Sequence, residues 1–331
     1  MQKLRVVLLL LLIPFAPQFG KHAAVAWSSV DAVWSERTLS PEDRVFRTTS
    51  EQLTDLHKRP GEPQPGDWRS TVVQPAQSFA QYAQSNPVRR DEVRDTIYVQ
   101  PIGDFNAAQE SIVNLSAEFL GIYYSSPVRI LPTVSADIVP STARRIHPGA
   151  GHEQFLPYWI NHEFLKPQLP DDAVACIALT TTDLWPGKNY NFVFGQASLV
   201  DRVGVWSIAR HGDPEIGPAE YNECLLRALK TAAHETGHMF SMEHCLHFEC
   251  VMAGKGSLAE GDRHPLYLCP ECLAKLHWNL HTTDESSEAY SSRDVTAERF
   301  RKLAQFCETN DLNTAADYYN TAREMLKHSE R

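Results

Sequence analysis

Two sets of metal-binding side chains sit end to end between His234 and Cys272. In the first, His234-Glu235-Thr236-Gly237-His238 puts two imidazoles four residues apart, and His244 follows six residues later. Residues four apart on a helix project from one face about a turn apart, so His234 and His238 can reach one ion. Glu235 lies on the edge of that face, placed to touch a metal-bound water rather than the metal. Three protein ligands and an open fourth position make the donor set of a catalytic zinc. The chemistry this supports is hydrolysis by a metal-activated water, with Glu235 as general base. A bare H-E-x-x-H also arises by chance on amphipathic helices, and the third histidine separates the two readings. Met252 taken alone is core filler, because Met fills irregular gaps. Beside these histidines it is also a candidate floor beneath them.

The second set is Cys245, Cys250, Cys269 and Cys272, spaced C-x4-C and C-x2-C. Four thiolates from two segments close a tetrahedron around zinc and leave no place for water, which is a structural site. Two disulfides are the alternative, but the tight Cys-Pro-Glu-Cys turn suits a metal knuckle better than a strained local bridge. The three remaining cysteines, Cys176, Cys224 and Cys307, are odd in number and make no disulfide framework.

These side chains need particular elements to hold them. Leu225, Leu226, Leu229, Ala232 and Ala233 follow helical spacing, with no Pro or Gly from Tyr221 to Thr236, so a helix delivers the first two histidines. His244 is too far along to bind from the same straight helix, and the chain must turn after about residue 241. Upstream, Thr96–Gln100, Val128–Val134, the apolar run Ala173–Leu179, Phe192–Phe194 and Val203–Ile208 read as strands. Asn106–Gly121 and Gln154–Leu165 read as helices, and 141–153 as a loop whose His147 and His152 receive no role. The order of elements places 191–199 at a sheet edge over the cleft, where an extended substrate could pair. Residues 27–94, Pro-rich between Pro60 and Pro75, read as a partly ordered N-terminal arm with no chemistry assigned. Asp294–Glu308 and Leu312–Lys327 are amphipathic and read as a helical cap.

The whole block, H-E-x-x-H-x-x-S-x-x-H-C-x4-C-x-M followed by C-x2-C, resembles the archaemetzincins, in which a three-histidine catalytic site runs directly into a four-cysteine zinc site. Thr96–Gly103, Asn191–Leu199, Gly204–Arg210 and Arg263–Cys272 are similar to segments of that family, and the likeness covers about Asp67 to Trp278. It implies a metzincin-like α+β fold: a twisted mixed sheet with helices above a zinc cleft, a small zinc-stabilised lower subdomain, and C-terminal helices. It also implies two Zn²⁺ ions, one on His234, His238 and His244, the other on the four cysteines, with Met252 as the Met-turn. The implied activity is a zinc peptidase, aminopeptidase or endopeptidase. A non-catalytic zinc-stabilised binding module is the alternative, though such a relic has no need of Glu235. The chain departs from the family at Ser241, where the pattern has Gly. If the turn is left-handed there, a non-glycine residue costs about 1–2 kcal/mol.

Length and composition fit this reading. With 331 residues, 43% hydrophobic and 22% charged, the chain is an ordinary globular one with room for a large core. A net charge of −10 and the lack of a basic aromatic stripe argue against nucleic acid as the partner; a peptide or protein substrate is expected instead. Met1–Arg5 is a short basic start, followed by an apolar run from Val6 to Ala16 and small residues at Ala24 and Ala26. This pattern predicts a signal peptide over 1–26, a secreted or periplasmic protein, and no stable membrane insertion once it is removed. A misassigned start would leave the chain cytoplasmic. The expected organisation is completed by the arm at 27–94, the zinc peptidase domain at 95–278 and a helical extension at 279–331.

Overall fold

The computed structural model describes residues 39–188, 190–281 and 292–328. The expected signal peptide lies outside them. A mixed five-stranded sheet forms the centre. Strand β1 (Thr96–Ile102) lies parallel to β2 (Val128–Ile130) on one side and β5 (Ala173–Thr180) on the other. The edge strand β7 (Gly195–Ala197) is antiparallel to β8 (Val203–Ser207), which runs parallel to β5. All eight residues of β5 are buried because both its faces are covered. Val174, Ile177 and Leu179 join the core beneath helices α3 (Ala107–Tyr123) and α4 (Pro218–Met239), while Cys176 and Ala178 meet Phe155, Ile160 and Leu165 on the other side. The architecture is α+β, as expected.

Several local expectations are corrected. Strand character falls on Gly195–Ala197 rather than Phe192–Phe194, where Val193 makes an isolated bridge to Leu184 of β6 (Asp183–Leu184) and Phe194 accepts from Ser207 N of β8 at 2.9 Å. Pro132 ends β2 at Ile130, and Val134 returns as a lone bridge to Ile102. The helix expected over Gln154–Leu165 begins instead as a strand, β4 (Glu153–Phe155), because Pro157 can occupy only the first turn of a helix; a π-helical turn then spans Ile160–Leu165. The expected loop at 141–153 contributes β3 (Arg144–Ile146), which pairs with β4 beside β6 (Asp183–Leu184) in a second small sheet. There His152 has a structural partner, with Nε2 2.9 Å from buried Asp183. Gly121 does not stop α3. It lies inside the helix, where an added methyl would come 3.3 Å from Val128, so it serves close helix–strand approach.

The part of the arm that is described, from residue 39 on, is packed against the rest of the chain. Helix α1 (Pro41–Glu51) and the capped helix α2 (Phe79–Gln84) lie against α5 (Pro270–Leu280), with Arg47 bonded to Glu271 at 2.7 Å. The C-terminal helices α6 (Ser292–Thr309) and α7 (Asn313–His328) form a hairpin joined to the main core. Phe306 meets Phe119 of α3, and Tyr318 stacks on Tyr267 with ring centroids 3.4 Å apart. His57 closes this junction, with Nε2 2.9 Å from the Tyr318 hydroxyl and its ring edge-on to Phe248, Tyr267 and Tyr318.

Burial lowers the His57 pKa from 6.5 to about 4, and His264 is likewise lowered to about 4. Between those values the unfolded chain takes up protons that the folded chain refuses, so stability rises with pH and is lost as pH falls from about 6.5 towards 4. We expect the melting temperature to fall across this window and the slope to be shallower in His57→Gln. Equal slopes for the two proteins would show that His57 plays no part.

Candidate active site and thiolate centre

Helix α4 carries His234, Glu235 and His238, and its end brings in the third histidine. The helix closes with a Schellman motif: Met242 N donates to the Gly237 carbonyl (3.1 Å) and Ser241 N to the His238 carbonyl (2.8 Å). Ser241 takes the left-handed position with φ +64°, so the turn anticipated near residue 241 is present and the chain departs from its glycine pattern at that strained residue. Its side chain compensates. Oγ donates to the Leu199 carbonyl at 2.6 Å and accepts from Val88 N at 3.0 Å.

Replacing Ser241 separates the two effects. Ser241→Gly releases about 1–2 kcal/mol of backbone strain and loses two bonds worth about 0.5–1.5 kcal/mol each, so it should be near neutral. Ser241→Ala keeps the strain and loses the bonds. We expect it to be about 1–2 kcal/mol less stable than the glycine variant; coincident denaturation midpoints would refute the argument.

After the turn, one ligand atom each from His234, His238 and His244 lies within 4.8 Å of the others. Each Nδ1 donates a hydrogen bond: His234 to the Val251 carbonyl (2.8 Å), His238 to the Met242 carbonyl (2.7 Å), and His244 to Gln74 Oε1 (3.3 Å). This fixes the tautomer that leaves a lone pair on Nε2. The Nε2 atoms of His234 and His238 stand 3.0 Å apart with no proton between them. That spacing approaches the edge of about 3.3 Å of a tetrahedron with 2.0–2.1 Å zinc–nitrogen bonds, so the donor set fits zinc. Burial lowers the pKa of all three imidazoles, that of His244 to about 3, which keeps them neutral and ready to ligate.

Glu235 is buried against the edge strand. A methyl added to Gly195 would lie 2.6 Å from the Glu235 carboxyl carbon, so only glycine leaves room for the carboxylate there. Burial pushes its pKa up, to about 8, against the pull of the Lys255 ammonium. Met252 is fully buried under the same helix, where a methyl on Gly237 would come 2.4 Å from its sulfur.

The sulfur atoms of Cys245, Cys250, Cys269 and Cys272 also lie within 4.8 Å of one another, and all seven cysteines are unbridged. Cys245 Sγ and Cys269 Sγ are 3.6 Å apart, far beyond a disulfide's roughly 2.0 Å and close to the about 3.8 Å edge of a four-thiolate zinc site. Cys269 caps α5 and Cys272 lies in its first turn, where the helix dipole favours thiolates.

The arm reaches the histidine cluster, which its sequence did not signal. Trp68 lies against His244 with ring centroids 4.6 Å apart, and Gln74 holds the Nδ1 of that ring. Lys255 was also missed; it donates to Thr231 Oγ1 (2.8 Å) on the first-histidine helix. These residues have no periodicity or ligand spacing to reveal them.

Comparison with known proteins gives the same class. The family model "Peptidase family M54" matches residues 164–278, and with the three-histidine cluster and its carboxylate it marks the chain as a zinc metallopeptidase. The chain is 30% identical over 305 residues to Archaemetzincin-2 of Homo sapiens, covering 80% of this chain and 82% of that protein. It is 27% identical over 242 residues to Archaemetzincin-1 of Rattus norvegicus, covering 64% and 48% respectively. The crystal structure of archaemetzincin from Methanopyrus kandleri is 29% identical, with 58% of this chain and 98% of that chain covered and a TM-score of 0.47. This chain belongs to the archaemetzincin family. Among the described residues, no helix is long and apolar enough to cross a membrane.

Proposed function

We propose that this zinc metallopeptidase cleaves peptide bonds at a zinc held by His234, His238 and His244 in the metzincin arrangement, with Glu235 as general base. Cys245, Cys250, Cys269 and Cys272 hold a second, structural zinc. The observation that carries this is the convergence of three neutral imidazoles, each fixed through Nδ1, beside a buried carboxylate. When bound, zinc polarises the scissile carbonyl and acidifies a water. Glu235 as the carboxylate, which the Lys255 ammonium favours, takes the proton and can pass it to the leaving amine. Met252 acts as the Met-turn, keeping helix and turn at a fixed separation. Strand β7 ends the sheet, so an extended peptide can add to Gly195–Ala197 through main-chain bonds. Gly195 then brings that backbone close to Glu235.

Metal analysis with an unbiased peptide-library digest tests the reading. Two zinc ions per chain and chelator-sensitive cleavage are expected, and the cut positions distinguish endopeptidase from aminopeptidase. A zinc-loaded chain that cleaves nothing in the library would sink the hydrolytic reading.

A further inference from the structure

We propose that the N-terminal arm is a working part of the histidine site, with Gln74 as the positioning residue for His244; the proposal rests on the reading that the three histidines hold zinc. His234 and His238 are oriented by backbone carbonyls from their own neighbourhood, Val251 and Met242. The hydrogen-bond partner of His244 Nδ1 is a side chain 170 positions away in sequence. Without such a partner the ring is free to rotate and to change tautomer, and a metal ligand loses both orientation and basicity.

The arm is built to hold that amide still. Gln74 lies between two anchors. On one side, Trp68 N donates to Glu260 Oε2 at 2.9 Å, Asp67 pairs with Arg263 at 2.6 Å, and the Trp68 ring fills a space that only a glycine at 254 leaves open. On the other, Gln77 bonds both ends of the turn that carries His244. Its Nε2 donates to the Ser241 carbonyl (3.1 Å) and its Oε1 accepts from Glu243 N (3.1 Å). Lys275 Nζ fastens Gln77 from below, 2.6 Å from its carbonyl and 3.0 Å from Oε1. Pro75 restricts Gln74 to extended backbone between these points. With Trp68 against the ring and Gln74 on its nitrogen, the arm defines both the plane and the proton of the third imidazole.

The test is zinc release from the full chain against graded chelator, with the thiolate-bound zinc and the circular dichroism spectrum as monitors of folding. His244→Ala identifies the release step that belongs to the histidine site. Gln74→Leu, which has no acceptor, should weaken that step by about 10–100-fold and leave the other unchanged. Gln74→Glu restores an acceptor and should retain zinc at least as well as the wild type. Wild-type behaviour in Gln74→Leu, or equal weakening in both variants, overturns the proposal. A His244→Ala variant that keeps the entire zinc content of the wild type would refute the underlying site reading, which is a separate result.

Discussion

Glu235→Gln should abolish turnover while leaving the zinc in place. The substitution conserves shape, so the side chain still fits against Gly195, and it changes none of the three imidazoles. What disappears is the proton acceptor, whose loss typically costs about 10²–10⁴-fold in rate. Stability should hold or rise slightly, because burial already disfavours the ionised carboxyl and an amide removes that conflict. The measurement is kcat/KM on a cleaved library peptide, alongside zinc stoichiometry and melting temperature. A variant that keeps full activity would exclude Glu235 as the base.

The second large effect is structural. Cys272→Ser should release the thiolate-bound zinc and unfold the region around it. Structural zinc contributes about 10–16 kcal/mol in small zinc-binding peptides, comparable to the whole stability of a typical protein, about 5–15 kcal/mol. The damage should spread along identifiable contacts. Helix α5 begins at the thiolate centre, and it holds the arm through Glu271, which pairs with Arg47 and accepts from Phe79 N, and through Lys275, which holds Gln77. The surroundings of His244 therefore loosen as well, so peptidase activity should be lost together with the fold. Hydrogen exchange in 41–84 and 245–280 reads this out. A Cys272→Ser protein that melts with the wild type would remove the structural role of the site.

What could be read from the chain alone was the chemistry concentrated in one short stretch. His234, Glu235, His238 and His244 are recognisable because their spacing is dictated by helix geometry and one turn, both local. The same holds for the thiolate pairs and for β5, whose apolar run reflects burial on both faces. Gln74, Trp68 and Gln77 were invisible because their roles come from contacts made across about half the length of the chain. The helix expected over 154–165 failed where helical periodicity overlaps a short strand and a proline. At Ser241 the turn itself was foreseen, whereas the two hydrogen bonds that make serine tolerable depend on Val88 and Leu199, far away in sequence.

The docking of the arm also sets a schedule for folding. Arg47 and Glu271 are 224 residues apart, Gln77 and Lys275 198, and His57 and Tyr318 261. The arm therefore finds its seat only after about 200 further residues have been made. Pairings of such long range close slowly and leave apolar surface uncovered meanwhile. A nascent chain halted before α5 thus holds all three histidines but lacks Lys275, which fastens Gln77 against the turn carrying the last of them.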